Sequence, residues 1–138
     1  VDTTRPTTLF SDATRALIPA MARAGVRRLI AVTGVGAGET RGHGGWLYDR
    51  IVFPLVTRNR YADKERQEAL IRDSGLDWTI LRPAAFAAKR GAAPFEAHAT
   101  VAPDLVLRSV TREEVARFAL DALEQGGWIG ETPFIGRR

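Results

Sequence analysis

The chain has 138 residues, 45% of them hydrophobic, which is enough for one domain with a buried core over residues 1–138. It contains no cysteine, so disulfides, thiol catalysis and cysteine metal sites are excluded, and this composition fits a reducing compartment. No apolar run approaches the ~20 residues that a membrane span needs, and the first ten residues have no secretory-signal pattern. We therefore expect a cytoplasmic protein.

The net charge is +4, and a basic balance is typical of proteins that bind nucleic acids or membrane surfaces. Here, however, the arginines are scattered and mostly alternate with acidic residues, without the aromatic–basic interleaving of single-strand-binding proteins. We expect a solvated, arginine-rich surface with no nucleic-acid and no membrane partner. The two histidines, His43 and His98, have no paired carboxylates at ligand spacing, so the sequence predicts no metal site.

The first third of the chain predicts a helix, a glycine turn and a strand. Thr8 or Ser11 is the candidate helix cap, and Gly25 closes the helix. Residues 29–32 form a near-continuous apolar run, which predicts a strand buried on both faces. Between cap and glycine, apolar residues recur at three-to-four spacing, interrupted by Pro19. This stripe consists of Ala13, Leu17, Ala20 or Met21, and Ala24.

A glycine-rich loop follows that strand, because six of residues 34–46 are glycine. It does not fit the dinucleotide fingerprint, since no third glycine follows at the required offset and no helix opens there, and it is not a Walker A loop. We expect an active-site flap, with phosphate contact as the alternative. Residues 46–57 have helical spacing broken at Pro54. The aromatic residues in this segment form either a core or dimer contact or a wall over a planar ligand.

The most informative stretch is residues 61–85, where a helix, a glycine stop and a buried strand follow one another. Glu68 is assigned to the charged outer face of the helix. Gly75 ends the helix in the left-handed conformation. A strand at residues 78–81 follows, and Pro83 is expected to stop its ladder. In open α/β sheets, ligands bind at this C-terminal edge.

The remainder of the chain predicts one further helix between irregular or short extended segments. Residues 84–103 form a long connection of low periodicity, and residues 105–107 are a candidate short strand. Thr111 and Glu114 form a capping box that starts an amphipathic helix. The last strand falls within residues 128–135. This alternation predicts an α/β fold with a parallel, Rossmann-like sheet and helices on its faces.

Three stretches resemble atypical short-chain dehydrogenases, in particular the NAD(P)H-binding, NmrA-like proteins that include biliverdin/flavin reductases. They are GVRRLIAVTG at residues 25–34, KERQEALIRDSGLDWTILRP at residues 64–83 and VTREEVARFAL at residues 110–120. The segment SGLDWTILRP is the most specific of them. The resemblance implies a Rossmann fold, an NADP-type cofactor (NADPH) and a small-molecule substrate. It implies either NAD(P)H-dependent reduction of a planar flavin- or quinone-like acceptor, or a non-catalytic NAD(P)-binding regulatory role.

The resemblance also implies site residues. Thr33 with Gly34 matches the place of a hydroxyl near the nicotinamide, and Lys64 matches a residue that contacts the nicotinamide ribose. Thr33 and Lys64 are therefore the candidate catalytic residues as well as cofactor contacts. The family's turn whose backbone borders the carboxamide corresponds to Arg82, Pro83, Ala84 and Ala85. Apart from the resemblance, Trp46, Tyr48 and Phe86 are the candidate substrate contacts, because their aromatic side chains can lie against a planar ligand.

The sequence departs from the family's pattern in two ways. The glycine-rich fingerprint is absent, so we expect an N-terminally truncated Rossmann domain that has an uncovered sheet edge and by itself binds NADPH weakly or not at all. The residues that distinguish NADP from NAD lie in that absent half. Tyr61 precedes Lys64 by three positions, where the usual pair is four apart, so Tyr61 is not assigned as a proton donor. A homo-oligomer closed by residues 46–53 is left as an alternative.

Overall fold

The structure is a computed structural model that describes residues 6–35, 40 and 58–138. Within these residues, three helices and four strands follow one another along the chain. They are α1 Leu9–Arg23, β1 Arg28–Val32, α2 Arg58–Arg72, β2 Asp77–Pro83, β3 Glu96–His98, α3 Arg112–Glu124 and β4 Phe134–Gly136. The sheet has the order β1-β2-β4-β3, with β1, β2 and β4 parallel and β3 antiparallel to β4. The predicted α/β, Rossmann-like class is confirmed, although the sheet is mixed where a fully parallel one was predicted.

Two apolar clusters cover the two faces of the sheet. Ile80 and Leu81, both fully buried, are successive residues of β2 and therefore point to opposite faces. Ile80 packs with Ala31 and with Ile71 of α2 in the smaller cluster. Leu81 belongs to the larger cluster, which also contains Val115 of α3. Helices α2 and α3 thus supply side chains to different clusters, and β2 lies between them.

The strand ends at Pro83, as predicted, but backbone hydrogen bonds to the neighbouring segments continue past this residue. It is the last residue of the strand, and its carbonyl accepts a hydrogen bond from the Val35 N–H at 2.9 Å. On the other side it pairs with Ile135, and the next residue, Ala84, donates its N–H to the Ile135 carbonyl at 2.9 Å. Proline lacks only the donor, so pairing continues through its carbonyl and through its neighbour. The chain therefore remains in the sheet one residue beyond β2.

The predicted apolar stripe of α1 is wrong except at Met21. Leu17 is 44% exposed, and the buried side chains of α1 are Ser11, Thr14 and Met21. The reason is a polar junction with α2, in which the buried carboxylate of Asp63 accepts hydrogen bonds from the Ser11 hydroxyl at 2.6 Å and the Phe10 N–H at 2.8 Å. These hydrogen bonds orient α1 on α2. The spacing of apolar residues does not predict them, because the bonded groups are polar.

In the second half of the chain, the structure has one strand that was not predicted, and two predicted strand segments are not strands. The predicted irregular connection contains β3, three half-buried residues that pair with β4. Residues 105–107 are not a strand, and the Arg108 N–H that follows them donates to the Arg137 carbonyl at 2.7 Å. Trp128 is not part of the last strand either, since its φ of 61° places it in a turn, and β4 begins only at Phe134.

The predicted cap of α3 and the glycine stop of α2 are confirmed. The predicted hydroxyl cap of α1 is wrong, because Thr8 makes no side-chain capping hydrogen bond and Ser11 lies within the helix. The Thr111 hydroxyl accepts from the Glu114 N–H at 3.2 Å while the Glu114 carboxylate accepts from the Thr111 N–H at 3.0 Å, which is the predicted capping box. Gly75 follows α2 with a φ of 70°, as predicted. Trp46, Tyr48, His43 and the predicted helix at residues 46–57 lie outside the described residues. Of the helices that the structure describes, none is long and apolar enough to cross a membrane.

Candidate functional site

Lys64 and Thr33, the two candidate catalytic residues, lie together at the C-terminal edge of β1. The Lys64 ammonium, on the first half of α2, donates a hydrogen bond to the main-chain carbonyl of Thr33. Two aromatic rings flank the ammonium, with Nζ 5.3 Å from the centroid of Phe10 and 5.4 Å from that of Tyr61. This side chain is therefore held at the strand end by one hydrogen bond and two cation–π contacts.

The environment of Lys64 lowers the pKa of its ammonium. Desolvation by burial is the largest cause, the positive charge of Arg60 acts in the same direction, and the carboxylate of Glu68 opposes both. An ammonium has three donors, and the Thr33 carbonyl occupies one of them. The remaining donors fit the hydroxyl groups of a ribose, so Lys64 fits the nicotinamide-ribose contact that the resemblance implies.

The hydroxyl of Thr33 is already used within the protein. Thr33 is 4% exposed, and its Oγ1 donates to Glu68 Oε1 at 2.7 Å. A hydroxyl carries a single hydrogen, so while this bond is made Thr33 can accept a hydrogen bond from a ligand but cannot donate one. The role of Thr33 beside the nicotinamide stays a prediction, and the geometry limits it to the acceptor role.

Glu68 is the central residue of this site, and its assignment to the outer face of α2 is wrong. It is 1% exposed and accepts hydrogen bonds from four donor atoms. These are Thr33 Oγ1 at 2.7 Å, Arg82 Nε at 3.1 Å, Arg82 Nη2 at 2.7 Å and Arg72 Nη2 at 2.9 Å. Because Glu68 follows Lys64 by four residues, the two side chains project from the same helix face toward the sheet.

Electrostatics keep this buried carboxylate ionised. Burial of Glu68 opposes ionisation and is the largest single influence, but the hydrogen bonds and charges of Arg82 and Arg72, with the Thr33 hydroxyl, outweigh it and lower the pKa of Glu68. The sequence indicates that an acidic partner exists but not where it lies: Arg82 directly follows Ile80 and Leu81 in a strand expected to be buried, and a buried arginine requires an acidic partner. Glu68, on the adjacent helix, is that partner.

The turn from Arg82 to Ala85 presents backbone and not charge. The Arg82 side chain is fully buried, and its guanidinium is paired with Glu68. Pro83 and Ala84 are buried, with their main-chain groups engaged by Val35 and Ile135, while Ala85 is exposed and its carbonyl accepts from the Val110 N–H at 3.0 Å. The contact of this turn with a carboxamide stays a prediction that concerns its backbone alone.

Gly34 allows the backbone to come close to Tyr61. Its φ is 139°, and a Cβ at this position would lie 3.0 Å from the Tyr61 hydroxyl oxygen and 3.9 Å from Lys64 Nζ. The Tyr61 hydroxyl is therefore at the end of β1, beside the ammonium of Lys64. Spacing along the sequence did not assign Tyr61 to the site, but one turn of α2 brings it there because residues three apart are neighbours on a helix.

Of the three candidate substrate residues, Phe86 is described. It is 49% exposed, and the guanidinium carbon of Arg112 lies 5.1 Å from its ring centroid. Arg112 lines a cleft of about 640 Å³ between α3 and the chain that follows β2. Over residues 6–35, 40 and 58–138, no group of three or more histidine or acidic side chains is arranged to hold a metal ion.

Comparison with known proteins identifies the family of this chain. A protein-family model described as NAD(P)H-binding matches residues 2–126. No curated protein matches the sequence. Three solved structures are similar over most of this chain. A Rossmann-fold NAD(P)-binding family protein from Shigella flexneri is 25% identical, with a TM-score of 0.67, and the match covers 96% of this chain and 57% of that one.

The other two are more distant in sequence and show the fold alone. A short-chain dehydrogenase/reductase from Veillonella parvula in complex with NADP is 20% identical, with a TM-score of 0.72 and coverage of 93% and 58% of the two chains. An anaerobilin reductase from Escherichia coli O157:H7 is 20% identical, with a TM-score of 0.71 and coverage of 97% and 61%. The chain thus spans about three fifths of the length of these relatives.

The resemblance drawn from the sequence is confirmed at the level of an NAD(P)H-binding protein with a Rossmann fold. The NmrA-like subgroup stays a prediction. Since the family model matches nearly the whole chain, this protein belongs to the NAD(P)H-binding family.

Proposed function

We propose that this chain forms the nicotinamide side of an NAD(P)H-dependent oxidoreductase that reduces a small planar acceptor of the flavin or quinone type. The observation that carries the proposal is the contact of Lys64 with Thr33 at the C-terminal end of β1, where open α/β sheets bind their ligands. The similarity to an anaerobilin reductase and to an NADP complex supports a reductase and the choice of NADPH. We further propose a cytoplasmic location, which the absence of cysteine supports.

Each residue has a definite part in this proposal. Lys64 donates to the ribose hydroxyls with the two donors that Thr33 leaves unused, and Gly34 lets the ligand approach the backbone because it has no side chain. The backbone from Arg82 to Ala85 borders the carboxamide. When bound, the reduced nicotinamide supplies a hydride, and a flavin-type acceptor takes its proton from solvent.

The test compares the two lysines of the chain. Lys64→Ala is expected to raise the dissociation constant for reduced nicotinamide mononucleotide, and the already weak one for NADPH, about tenfold, the loss of one charge-assisted contact. Lys89, an exposed lysine in the segment after β2, provides the matched control, and Lys89→Ala is expected to change neither constant. Nicotinamide fluorescence reports binding of both ligands. Equal constants for wild type and Lys64→Ala would remove Lys64 from the site.

The mononucleotide is the sharper probe because it contains only the part of the cofactor that these residues would contact. Consumption of NADPH with flavin mononucleotide (FMN) as the acceptor then reports hydride transfer.

A non-catalytic NAD(P)-binding regulator is the second candidate function. It is favoured by one observation, the commitment of the Thr33 hydroxyl hydrogen to Glu68, which leaves this hydroxyl unable to protonate a substrate. Saturable binding of NADPH that depends on Lys64, with no hydride transfer to FMN or to a quinone, would support the regulator over the reductase.

A further inference from the structure

We propose that Arg112 and Phe86 form a subsite for the anionic group of a planar substrate. The inference rests on the proposed reductase function and names the chemical class of its acceptor: an aromatic ring system that carries a carboxylate or phosphate. The subsite lies at the mouth of the 640 Å³ cleft that Arg112 lines.

The position of the subsite follows from the path of the chain after β2. Phe86 comes three residues after the end of the strand and forms a parallel bridge with Val110, and the N–H of the next residue, Ala87, donates to the Val110 carbonyl at 2.9 Å. Thr111 and Arg112, which open α3, come directly after Val110. The subsite is therefore joined to the turn that is proposed to border the carboxamide, at the same edge of the sheet.

Arg112 occupies a place where a cation does not stabilise the fold. It is the first residue of α3, and the positive end of the helix dipole disfavours a cation there. Within the described part of the chain, no carboxylate pairs with it. Other arginines of the cleft have acidic partners: Arg117 lies 3.7 Å from Glu113, and Arg137 pairs with Glu114. Among the described residues, the interaction that the Arg112 side chain makes is with the ring of Phe86.

This arrangement suits a ligand that combines a ring and a negative charge. The guanidinium is held over an aromatic ring that is itself 49% exposed, so a planar group can lie against Phe86 while its acidic substituent meets a planar set of N–H donors. Phe95 and Phe118, with ring centroids 5.8 Å apart, give the cleft an apolar wall. An acidic aromatic ligand satisfies the charge, the ring and the wall together.

Two of the backbone amides at the N-terminal end of α3 are already engaged within the helix. The capping box already occupies the N–H groups of Thr111 and Glu114. Four arginines and three acidic residues line the cleft, so it carries a net positive charge, and Arg112 is the one cation whose charge no acidic side chain meets in the described residues. The guanidinium of Arg112 is therefore the group proposed to recognise an anion in the cleft.

Two flavins that share one ring system test the proposal. FMN carries a phosphate and riboflavin does not, and quenching of flavin fluorescence measures the binding of each without any nicotinamide cofactor. We expect wild-type protein to bind FMN about tenfold more tightly than riboflavin, the effect of one charge-assisted contact. Arg112→Gln is expected to abolish this preference, and Arg112→Lys to retain part of it. Phe86→Leu is expected to weaken both flavins by the same factor.

The matched control is Arg108→Gln, which removes an exposed arginine that does not line the cleft and is expected to keep the preference for FMN. Equal affinity of wild type for the two flavins would overturn the proposal, as would an unchanged preference in Arg112→Gln. If Arg112→Gln weakens NADPH and leaves FMN binding as it was, the anion is a cofactor phosphate and the assignment to the substrate is wrong. Since the flavin titrations contain no cofactor, a failure of hydride transfer would leave this result intact.

Discussion

Glu68 and Arg82 form a bidentate ion pair between α2 and β2, with Oε1 3.1 Å from Nε and Oε2 2.7 Å from Nη2, and each side chain is only 1% exposed. Two charges out of water are costly, and the hydrogen bonds made to both oxygens of Glu68 offset part of that cost. Loss of one partner leaves the other charge buried without compensation, and the pair therefore supports the strand ends on which the candidate site is built.

Neutralising the carboxylate is expected to destabilise the protein strongly. Glu68→Gln removes the negative charge opposite the buried Arg82, and we expect a loss of about 3–5 kcal/mol in the free energy of unfolding, measured by urea denaturation. Thr33→Val, which removes only one donor, is expected to cost about 1–2 kcal/mol. Glu113→Gln is the control, since that side chain is 83% exposed and should change stability by less than about 0.5 kcal/mol. A Glu68→Gln protein as stable as the Glu113→Gln control would contradict the assignment of Glu68 as the buried partner of Arg82.

The same carboxylate predicts a pH dependence of stability. Because the pKa of Glu68 is lower in the folded protein than in the unfolded chain, the unfolded chain takes up the proton first as the pH falls. The contribution of Glu68 is fully present above the ordinary glutamate pKa of about 4.3 and is lost as the pH falls through the folded value. We expect the difference in unfolding free energy between wild type and Glu68→Gln to shrink below about pH 4. A constant difference down to pH 2–3 would contradict this prediction.

Gly34→Ala is expected to disturb the end of β1 in two ways. Its φ of 139° is strained for any residue with a side chain, and the new methyl group would lie 3.0 Å from the Tyr61 hydroxyl oxygen. We expect a loss of about 1–3 kcal/mol in unfolding free energy. Adding Tyr61→Phe should recover the steric part and leave the backbone part. Gly91→Ala, where the nearest atom would be 3.6 Å away, should be nearly neutral, and equal costs at the two glycines would argue against a tight contact at Gly34.

The lowered pKa of Lys64 predicts that ligand binding weakens in a particular pH range. An ordinary lysine loses its charge near pH 10.4, whereas burial makes Lys64 lose its charge at a lower pH. We expect the affinity for reduced nicotinamide mononucleotide to fall as the pH rises through this lowered value. In Lys64→Arg the guanidinium stays charged, so its affinity should not change over the same range. A parallel fall in both proteins would show that another group titrates.

Much of the fold can be predicted from the sequence because local signals mark it. The capping box at Thr111, the glycine stop at Gly75 and the apolar run that contains Ile80 each depend on residues close together in the chain, and all three are confirmed. β3 was missed because its three residues, with Glu96 and His98 at the ends, become a strand only by pairing with β4 near the C-terminal end of the sequence.

The centre of the candidate site was missed for a different reason. Charge periodicity on α2 assigned Glu68 to the surface, but its partner Arg82 lies 14 residues away on β2, and the pair forms only once the helix is packed on the sheet. The network that joins Asp63 to Ser11, 52 residues apart, is hidden in the same way. Neither a polar residue on a helix nor an arginine in a strand indicates by itself which partner it will find.

Helix α2 holds Thr33 at two points, with Lys64 on its main-chain carbonyl and Glu68 on its hydroxyl. The two contacts are one helical turn apart, so a slide or rotation of α2 along the sheet cannot release one without straining the other. We therefore expect the end of β1 and helix α2 to unfold locally in one step. In hydrogen-exchange experiments the Thr33 amide, which is bonded to the Leu81 carbonyl, and the amides around Glu68 should exchange through a single cooperative event.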